Sequence, residues 1–413
     1  MNIHRRLRST AFLSLAAGLL ALAPARAADT VLHSFSFATN DGRDPYGSVT
    51  LSGSKLYGMT QSGGSDSVGT IFNMNTDGTG FGLLHSFTVS ATDGRTPYGS
   101  LTLSGSKLYG MTYFRNSTAG GTIFSMNTDG TGFGLLHSFT GLADGYYPFG
   151  SLTLSGSKLY GTTTQGGSSN LGGLFSMNTD GTGFALLHSF TGGASDGQNP
   201  SGSLTLSGSK LYGMTYQGGV SNYGTVFSMN IDGSGFAMLH SFNFVSSDGA
   251  DPGGSLTLSG SKLYGMTADG GSNGNGTLFS INTDGTGFGL VHSFTGSTSD
   301  GANPYGSLML SGSKFYGMTN LGGSSNAGML FSLNTDGTGY APIHSFTGGA
   351  SHGAFPQYSD PALSDDGSML YGMTYKGGTS NRGVVFSETI VPEPSTALLL
   401  AAGAGLMLRR RRG

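Results

Sequence analysis

A fourteen-residue motif that recurs along the chain constrains its fold more than any other sequence feature. Residues 75–88 read NTDGTGFGLLHSFT, residues 127–140 repeat them letter for letter, and near variants follow at 178–191, 230–243, 282–295 and 334–347. The first copy, TVLHSFSF at 30–37, contains only the second half of this motif. A second motif, Leu-Tyr-Gly or Phe-Tyr-Gly, begins at Leu56, Leu108, Leu159, Leu211, Leu263, Phe315 and Leu370. Its steps of 52, 51, 52, 52, 52 and 55 residues divide 28–390 into seven units and leave no second domain.

Each unit contains four short runs with the alternation of a β-strand. In the second unit these runs are 99–105, 107–112, 121–127 and 133–140. Ser104-Gly105-Ser106 predicts a tight hairpin, and Asp129-Gly130 predicts a turn with positive φ at the glycine. With 75 glycines and only 10% charged residues, the composition also disfavours helices. Four antiparallel strands in each unit match a β-propeller blade better than a solenoid coil.

The incomplete first copy predicts how such a ring closes. Residues 31–36 correspond to the fourth strand of a unit, whereas the last unit supplies runs at 361–364, 370–374 and 383–388 and then stops. We therefore expect an all-β, seven-bladed β-propeller of about 52-residue, four-stranded repeats. In it the N-terminal strand completes the last blade and hides two sheet edges that would otherwise invite aggregation.

The whole unit resembles the GloVer class of tandem repeats. The recognisable core is LYGMTYQGGVSNYGTVFSMN at 211–230, and the resemblance covers nearly all of 30–390. It implies an exported, surface-associated protein that is often paired with an anchoring tail, and it implies no established chemistry.

The N-terminus has the features of an export signal. A basic start precedes the apolar run AFLSLAAGLLALA, and Ala25-Arg26-Ala27 is the small-x-small pattern that signal peptidase accepts. The run is too short for a membrane-spanning helix. We expect residues 1–27 to be removed by the export machinery before Ala28.

The C-terminus has the features of a sorting tail. Residues 391–413 contain Pro392-Glu393-Pro394, a short apolar segment from Thr396 to Leu408, and the basic block Arg409, Arg410, Arg411 and Arg412. This arrangement resembles the PEP-CTERM sorting signal, in which a short transmembrane-type helix holds the chain at the inner membrane. The resemblance implies processing by an exosortase, usually in bacteria that make exopolysaccharide.

Charge excludes one class of partner. Between these two ends, seven Lys and four Arg oppose twenty Asp and one Glu, a net charge of 11 − 21 = −10. Nucleic acid requires a basic face, so we expect no nucleic-acid partner. An acidic repeat region is typical of a soluble protein in an extracellular matrix.

The repeated titratable residues are expected to be structural. The histidines of the His-Ser-Phe strands lie on the outermost strands, too far apart to share one ion, so each should bond to a neighbouring turn. Aspartates of the third-to-fourth-strand turns should form Asp-Gly turns, with weak Ca²⁺ binding as the lesser alternative: Asp77, Asp129, Asp180, Asp232, Asp284 and Asp336. A second set precedes the innermost strands and could attract cations as a ring: Asp41, Asp93, Asp144, Asp196, Asp248 and Asp300. We expect no metal centre and no cofactor.

Symmetry weakens in the loops before the first strand and between the second and third strands, which share one face of a propeller. The candidate ligand-binding residues in these loops are Tyr113, Phe114, Arg115, Tyr146, Tyr147, Tyr216, Tyr223, Tyr375 and Lys376. Tyr46, Tyr98, Phe149 and Tyr305 follow turn prolines or lie beside them. Exposed aromatic rings among polar groups suit the apolar faces of sugars, and the alternative is that these tyrosines only cap the blades.

These observations favour a non-catalytic scaffold or adhesion module at the cell surface or in the matrix, in contact with exopolysaccharide. The alternative is a polysaccharide hydrolase or lyase, which needs an asymmetric charged cluster on the variable face. Its candidates, Asp66, Asp269 and Arg115, belong to different units. A spacer without any ligand is the third interpretation.

Overall fold

The computed structural model describes residues 30–90, 92–115 and 120–390. The predicted signal peptide (residues 1–27) and sorting tail (391–413) lie outside the described residues. No helix long and apolar enough to cross a membrane occurs in the described part of the chain.

The described chain folds into seven antiparallel blades arranged in a ring. Strand β1 (Thr30–Ser34) opens the chain and belongs to the last blade. Blade 1 contains β2 (Gly42–Pro45), β3 (Thr50–Ser52), β4 (Lys55–Gly63), β5 (Thr70–Asn75) and β6 (Gly82–Ser86). Blade 2 contains β7 (Thr102–Ser104), β8 (Lys107–Thr112), β9 (Thr122–Asn127) and β10 (Gly134–Ser138). Blade 3 contains β11 (Tyr146–Ser155), β12 (Lys158–Gln165), β13 (Gly173–Asn178) and β14 (Ala185–Ser189).

The remaining four blades follow the same order from the axis outward. Blade 4 contains β15 (Gly197–Ser207), β16 (Lys210–Gly218), β17 (Thr225–Asn230) and β18 (Ala237–Ser241). Blade 5 contains β19 (Gly249–Pro252), β20 (Thr257–Ser259), β21 (Lys262–Gly270), β22 (Thr277–Asn282) and β23 (Gly289–Ser293). Blade 6 contains β24 (Gly301–Ala302), β25 (Met309–Ser311), β26 (Lys314–Thr319), β27 (Leu321–Gly322), β28 (Met329–Asn334) and β29 (Ala341–Ser345). Blade 7 contains β30 (Gly353–Ala354), β31 (Ala362–Leu363), β32 (Met369–Thr374), β33 (Lys376–Gly377) and β34 (Val384–Thr389).

The predicted closure of the ring is confirmed. Strand β1 pairs antiparallel with β34, from Thr30 opposite Ser387 to Ser34 opposite Val384, and so forms the fourth strand of blade 7. The backbone N–H of Phe35 donates to the carbonyl of Gly383 over 3.0 Å. The incomplete first copy of the repeat is therefore the missing end of the last copy.

The predicted turns are also present. Ser104 pairs with Lys107 across a two-residue hairpin, and Gly105 has φ of 57°. At the other turn Gly130 has φ of 90°, and the carboxylate of Asp129 accepts hydrogen bonds from the N–H and hydroxyl of Thr131 over 2.9 and 2.7 Å. Equivalent aspartates make the same two bonds in the other five complete units, which confirms their role as turn residues.

The hydrophobic core is divided among seven clusters, each formed by two neighbouring blades. In the cluster that closes the ring, Phe35 and Tyr371 of blade 7 pack with Leu56 and Phe72 of blade 1, and three of these four side chains are fully buried. A single blade has one face in each of two clusters, so it buries its apolar residues only when both neighbours are in place.

Candidate functional site

The variable loops lie together on one face of the ring, as predicted, because each inner strand begins beside the end of the second strand. In blade 4, for example, Gly197 pairs with Gly218 and Gln198 with Gln217. We call this side of the ring the variable face. The residue before each turn proline has a left-handed backbone, with φ between 50° and 56°: Asp44, Thr96, Tyr147, Asn199, Asp251, Asn303 and Phe355.

Five aromatic rings cover the propeller axis on the variable face, and we call them the aromatic cap: Tyr46, Tyr98, Phe149, Tyr305 and Tyr358. Centroid distances are 4.6 Å from Tyr46 to Tyr98, 4.9 Å from Tyr46 to Tyr358 and 5.3 Å from Tyr305 to Tyr358. Burial raises the pKa of each of the four tyrosines, so all four stay neutral phenols in ordinary conditions.

The aromatic cap is incomplete over blades 4 and 5, where the residues that follow the turn prolines are Ser201 and Gly253. Tyr305 leans onto Gly253, since a Cβ there would lie 2.9 Å from Cδ1 of Tyr305. The hydroxyl of Ser201 donates to the carbonyl of Pro252 over 2.7 Å. Loss of two aromatic side chains thus breaks the sevenfold symmetry and leaves room above blade 4.

That room is a cavity of about 430 Å³, which we call the aromatic cavity. Its walls combine aromatic rings from five blades with a polar side: Tyr46, Tyr98, Tyr113, Phe114, Phe149, Tyr216 and Tyr358 face Thr164, Gln165, Asn199, Pro200 and Ser201. The Nδ2 of Asn199 donates to the carbonyl of Thr164 over 2.9 Å, which holds the polar side in place. Large, mostly pre-formed apolar walls with a few polar groups are typical of sites for small molecules and sugars.

Part of this cavity is lined by residues that the sequence predicted as ligand-binding. Tyr113, Phe114 and Tyr216 line it. Tyr147 stands behind the wall and stacks on Tyr113 with centroids 4.7 Å apart, while Tyr146 lies one ring further out, 5.9 Å from Tyr147.

Besides Tyr146 and Tyr147, four more of the nine predicted residues are not among those that line the cavity. Tyr375 supports the aromatic cap, 6.5 Å from Tyr46, and Lys376 lies over the ring of Tyr375 at 4.2 Å. Tyr223 stacks on Phe244 at 5.2 Å, and Arg115 is half-buried beyond the cavity wall. Sequence reasoning missed Tyr358, because the single extra residue Gln357 shifts it out of register with the other units.

The three residues weighed for catalysis do not converge. Asp66 is exposed in blade 1, where it accepts a hydrogen bond from the N–H of Val89 over 3.2 Å, while Arg115 and Asp269 belong to blades 2 and 5. Asp269 instead has Asp251 of its own blade as a neighbour. Burial together with the charge of Asp269 raises the pKa of Asp251 to about 6. Both carboxyls act electrostatically on Tyr216, so this acidic pair lies beside the aromatic cavity.

Asp251→Asn is expected to stabilise the fold above about pH 6 and to have little effect below about pH 4. A carboxyl whose pKa is raised by folding holds its proton more tightly in the folded state, so its ionisation above that pKa costs stability. In the equivalent positions Asn199 and Asn303 each donate to a backbone carbonyl over 2.9 Å, so asparagine fits the site. We expect a gain of about 1 kcal/mol near pH 7.5, after allowing for partial exposure. Urea unfolding at pH 7.5 and pH 4 measures it.

Asp44→Asn is the matched control, because Asp44 occupies the same position in blade 1 but has cationic partners. Its Oδ1 lies 2.6 Å from Nζ of Lys376, and its Oδ2 lies 3.4 Å from the guanidinium of Arg382. This substitution should destabilise the fold near pH 7.5. Equal signs for the two variants would show that the repeat position, and not the local charge, decides the effect.

The repeated histidines have the structural role predicted for them. Six of them bond through Nε2 to the aspartate that precedes the next inner strand, over 3.0–3.2 Å: His33–Asp41, His85–Asp93, His137–Asp144, His188–Asp196, His240–Asp248 and His292–Asp300. Each of these imidazoles also stacks on an aromatic ring of the next blade, as His85 does on Phe133 at 3.8 Å. Although burial alone would raise it, hydrogen bonds from His292 and other donors lower the pKa of Asp300 to about 2.

These carboxylates are therefore held by histidines and backbone N–H groups, as expected of structural turn residues. In blade 6 the pattern changes, and Nδ1 of His344 lies 3.7 Å from Oε2 of the buried Glu388. In the part of the chain that the structure describes, no group of three or more His, Asp or Glu side chains is placed to hold a metal ion.

Comparison with known proteins agrees with the propeller fold. An oligogalacturonate lyase in complex with manganese is 12% identical, with a TM-score of 0.54 over 89% of this chain and 97% of that chain. A protein assigned as a 6-phosphogluconolactonase from Bacteroides uniformis is 17% identical, with a TM-score of 0.52 over 77% of this chain and 88% of that chain. Identities this low show the fold alone. No curated protein matches the chain.

The repeat itself is recognised directly. The profile of the Gloeobacter/Verrucomicrobia repeat matches residues 17–227, 120–310 and 207–402, which together include nearly the whole chain. The chain therefore belongs to the Gloeobacter/Verrucomicrobia repeat family.

Proposed function

We propose that the protein is a non-catalytic scaffold, exported to the cell surface or the extracellular matrix, that binds a polysaccharide in the aromatic cavity. The observation that carries the proposal is the break in the aromatic cap over blade 4. Repeated structural residues are replicated from unit to unit, whereas this cavity lies where two units lack the aromatic residue, and it combines stacked rings with amide and hydroxyl groups.

Export rests on the two ends of the chain. Ala25 and Ala27 supply the cleavage pattern, and the Pro392-Glu393-Pro394 tail supplies the resemblance to exosortase substrates. The partners proposed on this basis are the export machinery, an exosortase-like processing enzyme and extracellular polysaccharide, with transient membrane contact through the tail. Mass spectrometry of the exported form tests it, with expected termini at Ala28 and near Pro394.

The cavity suits a sugar chain because its two sides match the two surfaces of a sugar ring. Tyr113, Tyr216 and Phe149 offer flat apolar area, and the amides of Asn199 and Gln165 offer donors and acceptors for hydroxyl groups. The tyrosines that line it are half-buried, so their rings are fixed in place before a ligand arrives.

Tyr216→Ala is expected to weaken binding of the recognised glycan by about 2- to 12-fold, since one aromatic contact contributes ~0.5–1.5 kcal/mol. Tyr223→Ala is the control, because Tyr223 belongs to the same loop but stacks on Phe244 outside the cavity. The measurement is a titration of the exported protein against oligosaccharides chosen from a broad glycan panel. Failure of the whole panel, or equal losses in both variants, would remove the glycan from the proposal.

A further inference from the structure

A closed ring of hydrogen bonds joins the seven inner strands around the axis. In each blade one backbone N–H donates to a side-chain oxygen of the next blade, at 2.7–2.8 Å in six of the seven steps. The seven ring residues are Ser48, Ser100, Ser151, Ser203, Ser255, Ser307 and Asp360. The last two steps run from the N–H of Ser307 to Oδ1 of Asp360, and from the N–H of Asp360 to Oγ of Ser48.

Asp360 adds a charge that the ring does not need. Serine provides the same acceptor in the other six blades, so closure alone gives no reason for a carboxyl group in the seventh. Among the described residues, the groups that act on the charge of Asp360 are the neutral hydroxyl and amide groups of Ser307 and Ser48. Burial raises its pKa, and the hydrogen bonds from these serines oppose that rise. An ionised carboxylate in this position therefore lacks a counter-charge from the part of the chain that the structure describes.

A small axial cavity adjoins this carboxyl group. Its volume is about 30 Å³, enough for one water molecule or one ion. Tyr46, Phe149, Tyr305 and Tyr358 of the aromatic cap border it on the variable face. The rest of its wall is made of paired glycine and serine residues of the inner strands, together with Asp360. The side-chain polar atoms of the residues that line it, those of Tyr, Ser and Asp, are all oxygens.

We propose that this axial cavity binds one hard cation, with the carboxylate of Asp360 as the charged ligand and ring hydroxyls as further ligands. Hard cations such as Ca²⁺ prefer oxygen ligands and tolerate irregular geometry. A single carboxylate is a low charge count, so the affinity should be weak, in the range of about 0.1–1 mM seen for extracellular calcium modules. The cation supplies the counter-charge that the described residues do not, and it links blade 7 to blades 6 and 1 through the ring.

The test is the thermal unfolding of the exported protein in CaCl₂, MgCl₂ or NaCl against choline chloride at equal ionic strength. About 10 mM of the preferred cation should raise the midpoint by about 1–3 °C. Equilibrium dialysis with Ca²⁺ measures the binding itself. Choline is too large for the cavity and serves as the reference.

Asp360→Ser should fold, because it restores the residue present in the other six blades, and it should lose the dependence on cations. Asp366→Ser is the control: this carboxylate lies in an exposed hairpin of the same blade, so its removal should leave the dependence intact. Equal midpoints in choline and in every cation would mean that the cavity holds water only and would overturn the proposal. A cation effect that persists in Asp360→Ser would overturn it as well. Neither result bears on the glycan, which binds in a different cavity.

Discussion

Removal of residues 30–36 is expected to abolish the cooperative folding of the whole ring rather than to loosen blade 7 alone. The deletion exposes the edge of β34 and takes Phe35 out of the cluster that joins blade 7 to blade 1. Each blade relies on both neighbours to bury its apolar faces, so an open ring leaves two blades half-supported. The exposed strand edge should also promote aggregation. Circular dichroism melting and size-exclusion chromatography of the deleted and intact proteins measure the loss.

Point substitutions test the interface that closes the ring without removing a whole strand. Phe35 and Phe139 are both fully buried and occupy equivalent positions, the first in the closing interface and the second between blades 2 and 3. Alanine should cost about 3–5 kcal/mol at either site. A negligible cost at Phe35 with a full cost at Phe139 would mean that the first strand does not close the ring.

Gly202→Ala is expected to cost more than about 3 kcal/mol of folding free energy, whereas Gly208→Ala should cost about 1 kcal/mol. Both glycines belong to blade 4 and have positive φ, of 72° and 58°, so the backbone strain of an alanine is similar. Their surroundings differ. A Cβ at Gly202 would lie 2.2 Å from the carbonyl oxygen of Gly254, but a Cβ at Gly208 would meet nothing within 4 Å.

The overlap at Gly202 is with backbone of the neighbouring inner strand, which cannot move without opening the ring near the axis. Urea unfolding of the two variants gives the difference in free energy. Equal costs would show that φ strain alone governs these positions and that the inner strands are less tightly packed than the structure has them.

The fold could be predicted from the sequence down to individual turns, because the same pattern of strands and turns recurs in seven units. Leu-Tyr-Gly or Phe-Tyr-Gly marks the same strand in all seven units, and Ser-Gly-Ser and Asp-Gly mark the same turns in six of them, so one accidental match has little weight. The truncated first copy then leaves only one way to close the ring, in which the N-terminal strand completes the last blade. The role of the histidines followed from the same pattern, since His85 and its equivalents all lie on outermost strands.

The aromatic cavity could be predicted only in part, because it depends on what the repeat lacks. Tyr113 and Tyr216 stand out in the sequence as aromatic residues in variable loops. Ser201 and Gly253 do not, although their small side chains are what opens the cavity. Asp360 was missed for another reason: the insertion of Gln357 displaces it from the serines to which it corresponds, and only the hydrogen bonds around the axis reveal the match.

The pairing of β1 with β34 also determines which way the molecule faces when it is held by an end. Thr30 pairs with Ser387, and the N–H of Ile390 donates to the carbonyl of Ser368, within the hairpin between β31 and β32. Such hairpins lie on the side of the ring opposite the variable loops, so both ends of the described chain leave from that side. If the protein is anchored through its C-terminus, as proposed, a tether that continues from Ile390 would attach to the side opposite the variable face, and the aromatic cavity would point away from the anchoring surface.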